Sequence, residues 1–458
     1  MRSVSMWVLA AAIVAVVGAW AQPPADVTAK VEAANSRFGF DLLAQLAEGQ
    51  TDNVFVSPFS IALALEMTAN GAAGDTQAAM MTALEAQGLS PADLNQASQS
   101  LLKALTSTDP QVQLAIANAL WLQKDATFVP AFVKAATGFF GAKASLVDFA
   151  SPTSNAAIDA WVKQATNGNI PAIAGPQPFD KDTLCVLTDA VYFHGQWTAS
   201  FDPAKTAKAP FTLLDGTKTD VPMMSQSGKF EYLKRPGMQT IRLPYGAGRL
   251  AMYVILPGEM IGFADASKAV TADNWNNWAS SMVSTPGKIV LPRFRIDYGT
   301  DLKPALAAMG MELAFDESGK ADFSNLCTVR GPVFIANVLH KTLLDVNEQG
   351  TTAAAATAVE VEGRGMPADQ PEPFEMIVNR PFFCAIVDRD TGTILFLGSI
   401  VNPQVIPAPV AVPTVVPPTT GGAAPQQQQP VRRQRRGFTR PGPPQRNGPQ
   451  GSNMAPHP

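Results

Sequence analysis

The chain has 458 residues, of which 46% are hydrophobic and 16% are charged, and its formal net charge is −4 at pH 7. Its aromatic content of 8% and mean hydropathy of +0.05 are typical of a chain that buries a large core. This composition excludes wholesale disorder, a collagen-like fibre and a polytopic membrane protein. The balance of charge gives no reason to expect nucleic-acid binding.

The first 21 residues form a segment of their own. Arg2 precedes an apolar run from Met6 to Gly18, and Ala19-Trp20-Ala21 follows. A basic start, a short apolar centre and an exit of small residues are typical of a secretory signal peptide. The alternative is a transmembrane anchor, but the apolar run is shorter than the ~20 residues that span a bilayer. We therefore expect residues 1–21 to be removed and the mature chain to be secreted and extracellular.

The body of the chain, residues 22–403, begins with helical patterns. Apolar residues at helical spacing predict helices over residues 28–47, Leu63–Met67, Ala78–Leu84 and Ala156–Thr166. Strand-like runs follow: Leu184–Phe193, Thr240–Leu243, Ala251–Leu256, Lys288–Phe294, Val333–Ala336, Thr342–Val346 and Thr393–Ile400. Turn residues such as Asp215-Gly216 and Gly246-Ala247-Gly248 connect several of the strands. Because no Pro/Gly-rich linker divides residues 25–403, we predict one large domain of helices and mostly antiparallel strands.

The sequence lacks the usual motifs of catalysis. It has three histidines, His194, His340 and His457, and no H-E-x-x-H, G-x-S-x-G or P-loop pattern. Gly246-x-Gly248-x-x-Ala251 resembles a dinucleotide fingerprint, but predicted strands flank it on both sides, whereas the fingerprint opens a helix. The acidic residues do not have metal-loop spacing. We therefore expect the protein not to be an enzyme and to have no cofactor or metal.

Three cysteines, Cys185, Cys327 and Cys384, are far apart in the sequence. So few cysteines imply no disulfide framework, although an exported protein could oxidise one pair. Cys185 and Cys384 lie in apolar strand-like runs. We interpret both as small buried hydrophobic residues.

Residues 404–458 differ sharply from the body. They contain thirteen prolines, the run Gln426–Gln429 and six arginines, and no Lys, Asp or Glu. Such a segment cannot form a core, and we expect a disordered, partly polyproline-like tail. Its charge of +6, together with Arg2, leaves the body at −11. The arginines suggest contact with an anionic surface or polymer; a solubilising tail is the alternative.

A segment rich in small residues runs from Glu348 to Pro367 and follows the strand-like residues Lys341–Val346. Helix propensity alone would make its alanines a helix. Read with period two, one face carries Thr351, Ala353, Ala355, Thr357, Val359 and Val361, and the other carries Thr352, Ala354, Ala356, Ala358, Glu360 and Glu362. This is the pattern of a half-buried strand. It indicates a segment that is an exposed loop in one state and a strand between two existing strands in another.

Short motifs of one known family occur in order along the chain. They include Asn53-Val54-Phe55-Val56-Ser57-Pro58-Phe59-Ser60-Ile61, Asn118-Ala119-Leu120-Trp121, Asp189-Ala190-Val191-Tyr192-Phe193-His194-Gly195-Gln196-Trp197, Leu291-Pro292-Arg293-Phe294, Ala321-Asp322-Phe323-Ser324 and Asn379-Arg380-Pro381-Phe382. Over residues 28–403 the sequence resembles the serpins, the serine protease inhibitor superfamily. The resemblance implies an α+β fold with three mainly antiparallel β-sheets, eight to nine helices and an exposed reactive-centre loop at about residues 348–373.

The resemblance also implies suicide-substrate inhibition of a serine protease. The protease attacks the loop and becomes acylated, and the cut loop then inserts into the central sheet, a recognised example of strand addition in this family. The family's hinge corresponds here to Glu348, Gly350, Thr351, Thr352, Ala353, Ala354, Ala355 and Ala356. Residues 351–356 include no charged or bulky side chain that would resist burial. This favours an inhibitor over a non-inhibitory binding or storage serpin.

Counting along the loop gives the reactive bond that the resemblance implies. Inhibitory serpins usually place it seventeen residues into the loop, which puts Arg364 at that place and Gly365 after it when Glu348 is counted first. An exposed Arg suits the acidic pocket of trypsin-like proteases. The loop after Arg364 is longer than is usual in the family, and Met366 is the alternative, which would favour chymotrypsin- or elastase-like enzymes. A papain-like cysteine protease is a further alternative target.

The resemblance places a polar cluster, often called the shutter, at Ser57, Ser60, Asp189 and His340. The family normally has Asn where Asp189 stands. A carboxylate paired with His340 would make opening of the sheet sensitive to pH. A structural hydrogen-bond cluster without a switch is the alternative. The expected partner is an extracellular serine protease, and we expect a monomer with no nucleic acid bound and no transmembrane segment.

Overall fold

The computed structural model describes residues 25–106, 109–180, 183–350 and 372–404. The predicted signal peptide, most of the reactive-centre loop with Arg364 and Gly365, and the tail from residue 405 lie outside these residues. Within the described ranges, no helix combines the length and the hydrophobicity needed to cross a bilayer.

The described ranges contain nine α-helices. They are α1 (Ala25–Ala47), α2 (Pro58–Ala69), α3 (Gly74–Ala83), α4 (Pro91–Thr106), α5 (Pro130–Phe140), α6 (Ser154–Ala165), α7 (Phe263–Ala269), α8 (Ala272–Ser280) and α9 (Lys303–Leu306). Pro58 and Pro130 open α2 and α5, because proline has the backbone angle of a first helical turn and needs no hydrogen-bond acceptor there. Every residue of α2 is buried, so this helix runs through the interior of the domain.

Sixteen strands complete the described structure. They are β1 (Val54–Val56), β2 (Val112–Gln123), β3 (Thr127–Phe128), β4 (Lys143–Val147), β5 (Cys185–Gly195), β6 (Ala207–Thr212), β7 (Lys218–Arg235), β8 (Met238–Pro244), β9 (Leu250–Pro257), β10 (Val283–Pro292), β11 (Phe294–Asp301), β12 (Cys327–Thr328), β13 (Asn337–Val346), β14 (Phe374–Ile377), β15 (Phe382–Asp388) and β16 (Ile394–Ile400).

These strands form three sheets. The largest has the order β1-β16-β15-β9-β8-β7-β10-β14, with β6 paired to β7; the second has the order β11-β13-β5-β2-β4, and β12 pairs with β3. Among the described strands, β10–β14, β5–β13 and β2–β4 are parallel pairs and the others are antiparallel. The predicted α+β fold with three mainly antiparallel sheets and eight to nine helices is confirmed.

Two of the strand predictions need correction. Val333–Ala336 is not a strand, because the Ile335 N–H donates to the Ala314 carbonyl and the Ala336 N–H to the Cys185 carbonyl; the strand begins at Asn337. The predicted run Lys288–Phe294 is divided at Arg293, whose N–H donates to the Pro222 carbonyl, so that β10 ends and β11 begins there. The turn at Gly246–Gly248 joins β8 to β9, as predicted, and therefore opens no helix.

The five-stranded sheet is covered on both faces. Leu187, Val191 and Phe193 of β5 belong to the main core, which also contains α2. On the opposite face, Val186 of β5 packs in a separate cluster with Ile158 of α6. A strand that is buried on both sides has a nearly continuous apolar sequence, and residues 184–193 have this pattern except at Thr188 and Asp189.

All three cysteines are buried free thiols. Burial raises the pKa of Cys384 to about 12 and that of Cys185 still further, so both thiols stay protonated at neutral pH. The interpretation of Cys185 and Cys384 as small buried hydrophobic residues is confirmed.

Candidate functional site between strands β5 and β13

Strands β5 and β13 lie side by side at the centre of the five-stranded sheet. Their ladder runs from the pair Asn337–Val186 to the pair Leu343–Tyr192. Beyond this last pair β5 continues to Gly195 and β13 to Val346, each still paired with its outer neighbour. We call residues 193–195 and 344–346 the fork. It is the place where two neighbouring strands of one sheet cease to pair with each other.

The chain that leaves β13 crosses the mouth of the fork. The backbone N–H of Trp197 donates to the Gln349 carbonyl at 2.9 Å, and its indole N–H donates to the Asn347 carbonyl at 2.9 Å. The indole ring stacks on Tyr245 with the ring centroids 4.3 Å apart. These contacts hold the start of the predicted hinge against the end of β5.

Gly350 is the last described residue before the loop. It forms a bridge with Gln196, and its φ of +137° is rarely adopted by residues with a side chain. A Cβ at this position would lie 2.2 Å from the Gly195 carbonyl oxygen. Because there is no room for a side chain, the position requires glycine.

The carboxylate of Glu348 is buried, with 3% of its side chain exposed. Nη2 of Arg293 donates to both of its oxygens, at 2.9 and 3.0 Å, and Oγ1 of Thr206 donates to Oε1 at 2.8 Å. The Glu348 carbonyl also accepts from the N–H of Phe201 at 2.8 Å. A buried carboxylate is stabilised when it is paired and hydrogen-bonded in this way.

Arg293 and Thr206 are site residues that the sequence reasoning missed. In the sequence Arg293 stands out only as part of the Leu291–Phe294 motif, and Thr206 belongs to no motif. A usable signal did exist for the arginine. A glutamate expected in a buried hinge needs a cation, and Arg293 stands between two buried apolar residues, Leu291 and Phe294, beside Pro292.

The four residues of the predicted polar cluster lie together below the fork. Oγ of Ser60 donates to Oδ2 of Asp189, and Nδ1 of His340 bonds to Oδ1 of Asp189 at 2.5 Å. The backbone N–H of Ser57 donates to Nε2 of His340 at 3.2 Å. Among the described residues the Ser57 hydroxyl has no hydrogen-bond partner, so Ser57 takes part through its backbone.

The hydrogen bonds assign the tautomer of His340. Because Nε2 accepts from the Ser57 N–H, the ring proton lies on Nδ1, which donates to Asp189. Asp189 and His340 are also register partners across the β5–β13 ladder. The cluster therefore connects the two strands to each other and, through Ser60, connects β5 to α2.

Two further residues belong to this cluster and were not predicted. Nδ2 of Asn118 on β2 donates to the Ser60 carbonyl at 3.2 Å, and Oγ1 of Thr342 on β13 donates to the Phe55 carbonyl at 2.6 Å. Of the predicted hinge, Glu348 and Gly350 are described, whereas Thr351 to Ala356 lie outside the described residues, as does the Arg364–Gly365 bond. No group of three His, Cys, Asp or Glu residues in the described ranges is arranged to hold a metal ion.

Comparisons with known proteins identify the family of the chain. The family model described as Serpin (serine protease inhibitor) matches residues 33–403. Leukocyte elastase inhibitor of Bos taurus is 34% identical over 385 residues, which cover 82% of this chain and 100% of that protein. Antithrombin-III of Homo sapiens is 32% identical over 381 residues, covering 81% of this chain and 82% of that protein.

Solved structures show the same architecture. The thermophilic serpin tengpin in its native state has a TM-score of 0.75 at 29% identity, covering 81% of this chain and 94% of that chain. Human thyroxine-binding globulin in complex with thyroxine has a TM-score of 0.74 at 28% identity, covering 82% of this chain and 100% of that chain. The chain therefore belongs to the serpin family.

Proposed function

We propose that this protein is secreted and inhibits an extracellular trypsin-like serine protease as a suicide substrate. The protease's serine oxygen forms an ester with the carbonyl carbon of Arg364, and the amine of Gly365 leaves. The cut loop then enters the fork as a new strand between β5 and β13. The observation that carries this proposal is the fixed position of residues 348–350 at the mouth of the fork.

The residues next to the fork suit this step. Thr351, the first residue that would enter, follows Gly350 directly in the sequence, and Gly350 forms a bridge with Gln196 just beyond the end of β5. An inserted strand would replace one ladder by two, and each added backbone hydrogen bond contributes about 1 kcal/mol. The thirteen steps from Thr351 to Arg364 reach roughly 43 Å when extended. A protease acylated at Arg364 would be carried across the molecule by such a movement.

The polar cluster below the fork opposes premature insertion. The bond between His340 and Asp189 crosses the ladder that must separate, and Ser60 holds Asp189 to α2. Breaking a charge-assisted hydrogen bond of this kind costs about 1.5–3 kcal/mol. We infer that the cluster helps to keep the uncut protein in its unexpanded state.

The identity of the attacked bond rests on the sequence count, which gives Arg364–Gly365. Met366 is the alternative, and one relative is named a leukocyte elastase inhibitor, which would agree with attack at an uncharged residue. Mass spectrometry of the released peptide separates the two. A peptide that begins at Gly365 supports Arg364, and one that begins at Pro367 supports Met366.

Incubation of residues 22–458 with trypsin, followed by a denaturing gel, tests the proposal. We expect an adduct that survives denaturation, and we expect Arg364→Ala to abolish it. Arg330→Ala is the matched control, since Arg330 is an exposed loop arginine elsewhere on the domain, and should leave the adduct intact. Cleavage without an adduct in the unaltered protein would instead identify a non-inhibitory serpin.

The cleaved loop offers a second readout. If the loop inserts, the cut protein gains a strand and should unfold at a higher temperature than the intact protein. Cleavage by a protease that is then removed, followed by calorimetry, measures this directly. An unchanged midpoint would exclude insertion.

We propose a separate role for the tail, contact with an anionic surface or polymer. The deletion of residues 405–458 removes six arginines and leaves the described domain intact. The deletion should weaken retention on an anionic polymer column without changing adduct formation with trypsin. Equal retention of both forms would leave the tail without this role.

A further inference from the structure

Glu66 is a buried acid that takes no part in the site described above. It lies in the middle of α2 and is 1% exposed. Oε2 accepts a hydrogen bond from Oγ of Ser98 on α4 at 2.5 Å, whereas Oε1 has no hydrogen-bond partner among the described residues. Burial raises the pKa of Glu66 to about 7, and the bond from Ser98 only partly opposes this.

Within the part of the chain that the structure describes, no cation compensates the carboxyl of Glu66. Glu66 is the only acidic or basic residue of α2. The neighbouring elements carry Asp93 and Lys103 on α4, Asp75 on α3, Lys134 on α5, Asp189 and His194 on β5, and Asp26, Lys30, Glu32, Arg37 and Asp41 on α1. None of them contributes to the pKa of Glu66. Lys103 and Lys134 are exposed, and the carboxylate of Asp189 is hydrogen-bonded to Ser60 and His340.

The position of Glu66 connects it to the fork. Ser60, six residues earlier on α2, bonds to Asp189 of β5 and to Asn118 of β2. α4, which carries Ser98, leads into β2 after a connection of residues 107–111. The side of the sheet formed by β5, β2 and β4 is therefore held to α2 directly at Ser60 and, through α4, at Glu66 and at the two hydrogen bonds that Asn70 and Asn95 exchange.

We propose that the packing of α4 on α2 around the buried Glu66 is an acid-tightened clasp, which restrains the movement of α4 and the adjoining half of the sheet relative to α2. The clasp is closed while Glu66 carries its proton. Ionisation strengthens the bond from Ser98, but the buried charge lacks water, so loss of the proton shifts the balance toward an opened state in which water reaches the carboxylate. The consequence for inhibition rests on the proposed function, because insertion at the fork is what requires this half of the sheet to move. The clasp itself is a property of the uncut protein.

The direction of the pH effect follows from the two states of the carboxyl. In an opened state Glu66 meets water and has its ordinary pKa of 4.5, whereas in the closed state the pKa is about 7. The closed state therefore binds the proton more strongly between these values. The equilibrium constant for opening should rise roughly tenfold for each pH unit between about 4.5 and about 7, and level off above.

Hydrogen exchange of the uncut, full-length protein tests the clasp without any protease. After correction for the chemical exchange rate, peptides from α4 should open tens-fold more readily at pH 8 than at pH 5. Glu66→Gln keeps an oxygen that can accept from Ser98 but cannot ionise, so its α4 should show no such dependence. Ser98→Ala removes the hydrogen-bond donor that favours the ionised form of Glu66. The pH range over which exchange of α4 changes should therefore extend to higher pH in this variant.

Glu32→Gln is the matched control. Burial raises the pKa of Glu32 to about 7 as well, but this side chain lies on α1 next to Gly392 in the turn between β15 and β16. Its replacement should leave the response of α4 unchanged. If Glu66→Gln did not fold, Glu66→Met, which also cannot ionise, would carry the same test.

Two outcomes would overturn the clasp: exchange of α4 that is independent of pH in the unaltered protein, or a response that survives Glu66→Gln. These outcomes can be told apart from a failure of the proposed function. An α4 that responds to pH in a protein that forms no trypsin adduct would remove the inhibitor proposal and leave the clasp. An active inhibitor whose α4 does not respond to pH would remove the clasp and leave the inhibitor proposal.

Discussion

Nη2 of Arg293 donates to both carboxylate oxygens of Glu348, at 2.9 and 3.0 Å, and so joins the start of the hinge to the point where β10 gives way to β11. The carboxylate is buried, whereas 39% of the arginine side chain is exposed. The glutamate end of the pair is therefore shielded from water, whereas water can reach the guanidinium of the arginine. It holds the hinge firmly in the uncut protein, but its separation does not leave both charges stranded in the core.

Removal of either partner of this pair should destabilise the protein. We expect Glu348→Ala and Arg293→Ala each to lower the free energy of unfolding by about 2–3 kcal/mol, because the remaining partner loses the two hydrogen bonds that join the pair. The double variant should lose less than the sum of the two. Urea unfolding of all four proteins measures this coupling. Asp265→Asn, in an exposed pair with Lys268, is the control and should change stability by less than about 0.5 kcal/mol; additive losses at Glu348 and Arg293 would contradict the prediction.

Gly350→Ala should displace the hinge from the end of β5. The added Cβ would lie 2.2 Å from the Gly195 carbonyl oxygen, and the φ of +137° is strained for alanine. We expect a loss of about 1–3 kcal/mol in stability and fewer covalent complexes per cleavage event. Gly138→Ala on α5, where the new Cβ meets nothing within 4 Å, is the control and should be neutral or stabilising by up to about 1 kcal/mol. Equal behaviour of the two variants would show that Gly350 has no steric role.

Thr351→Arg should convert the inhibitor into a substrate. The new charge would have to enter the sheet at the fork, where burial of an unpaired charge is very costly, while the loop would still fit a protease. On a denaturing gel with trypsin we expect a cleaved band and no adduct. Thr127→Arg, at an exposed position of β3, should inhibit normally. Full inhibition by Thr351→Arg would refute insertion at this place.

Asp189→Asn should destabilise the uncut protein. The carboxylate accepts from both Oγ of Ser60 and Nδ1 of His340, whereas the amide of asparagine has only one oxygen, so one of these buried donors loses its acceptor. We expect the free energy of unfolding to fall by about 1–3 kcal/mol, as measured by urea unfolding. An unchanged free energy of unfolding would contradict this role of the carboxylate.

Much of the fold was accessible from the sequence because its signals are local. The apolar run at 184–193 predicts a strand, which β5 confirms. The period-two arrangement of residues 351–362 also predicts a strand in spite of the helix propensity of alanine, and this prediction lies outside the described residues. The ordered motifs between Asn53 and Phe382 were enough to identify the family. Local propensity also explains the error at Val333–Ala336, where apolar and β-branched residues favour a strand but their N–H groups find acceptors outside any ladder.

The tertiary structure alone decided which side chains meet. Glu348 and Arg293 are separated by 55 residues, and Glu66 and Ser98 by 32, so neither contact is visible in a pattern of period two or 3.6. The same holds for Gly350, whose need for glycine arises from the Gly195 carbonyl. Sequence periodicity reports which face of an element is apolar, but the partner of a buried polar group is set by how distant elements pack, and this packing determined the hinge pair, the fork and the Glu66 clasp.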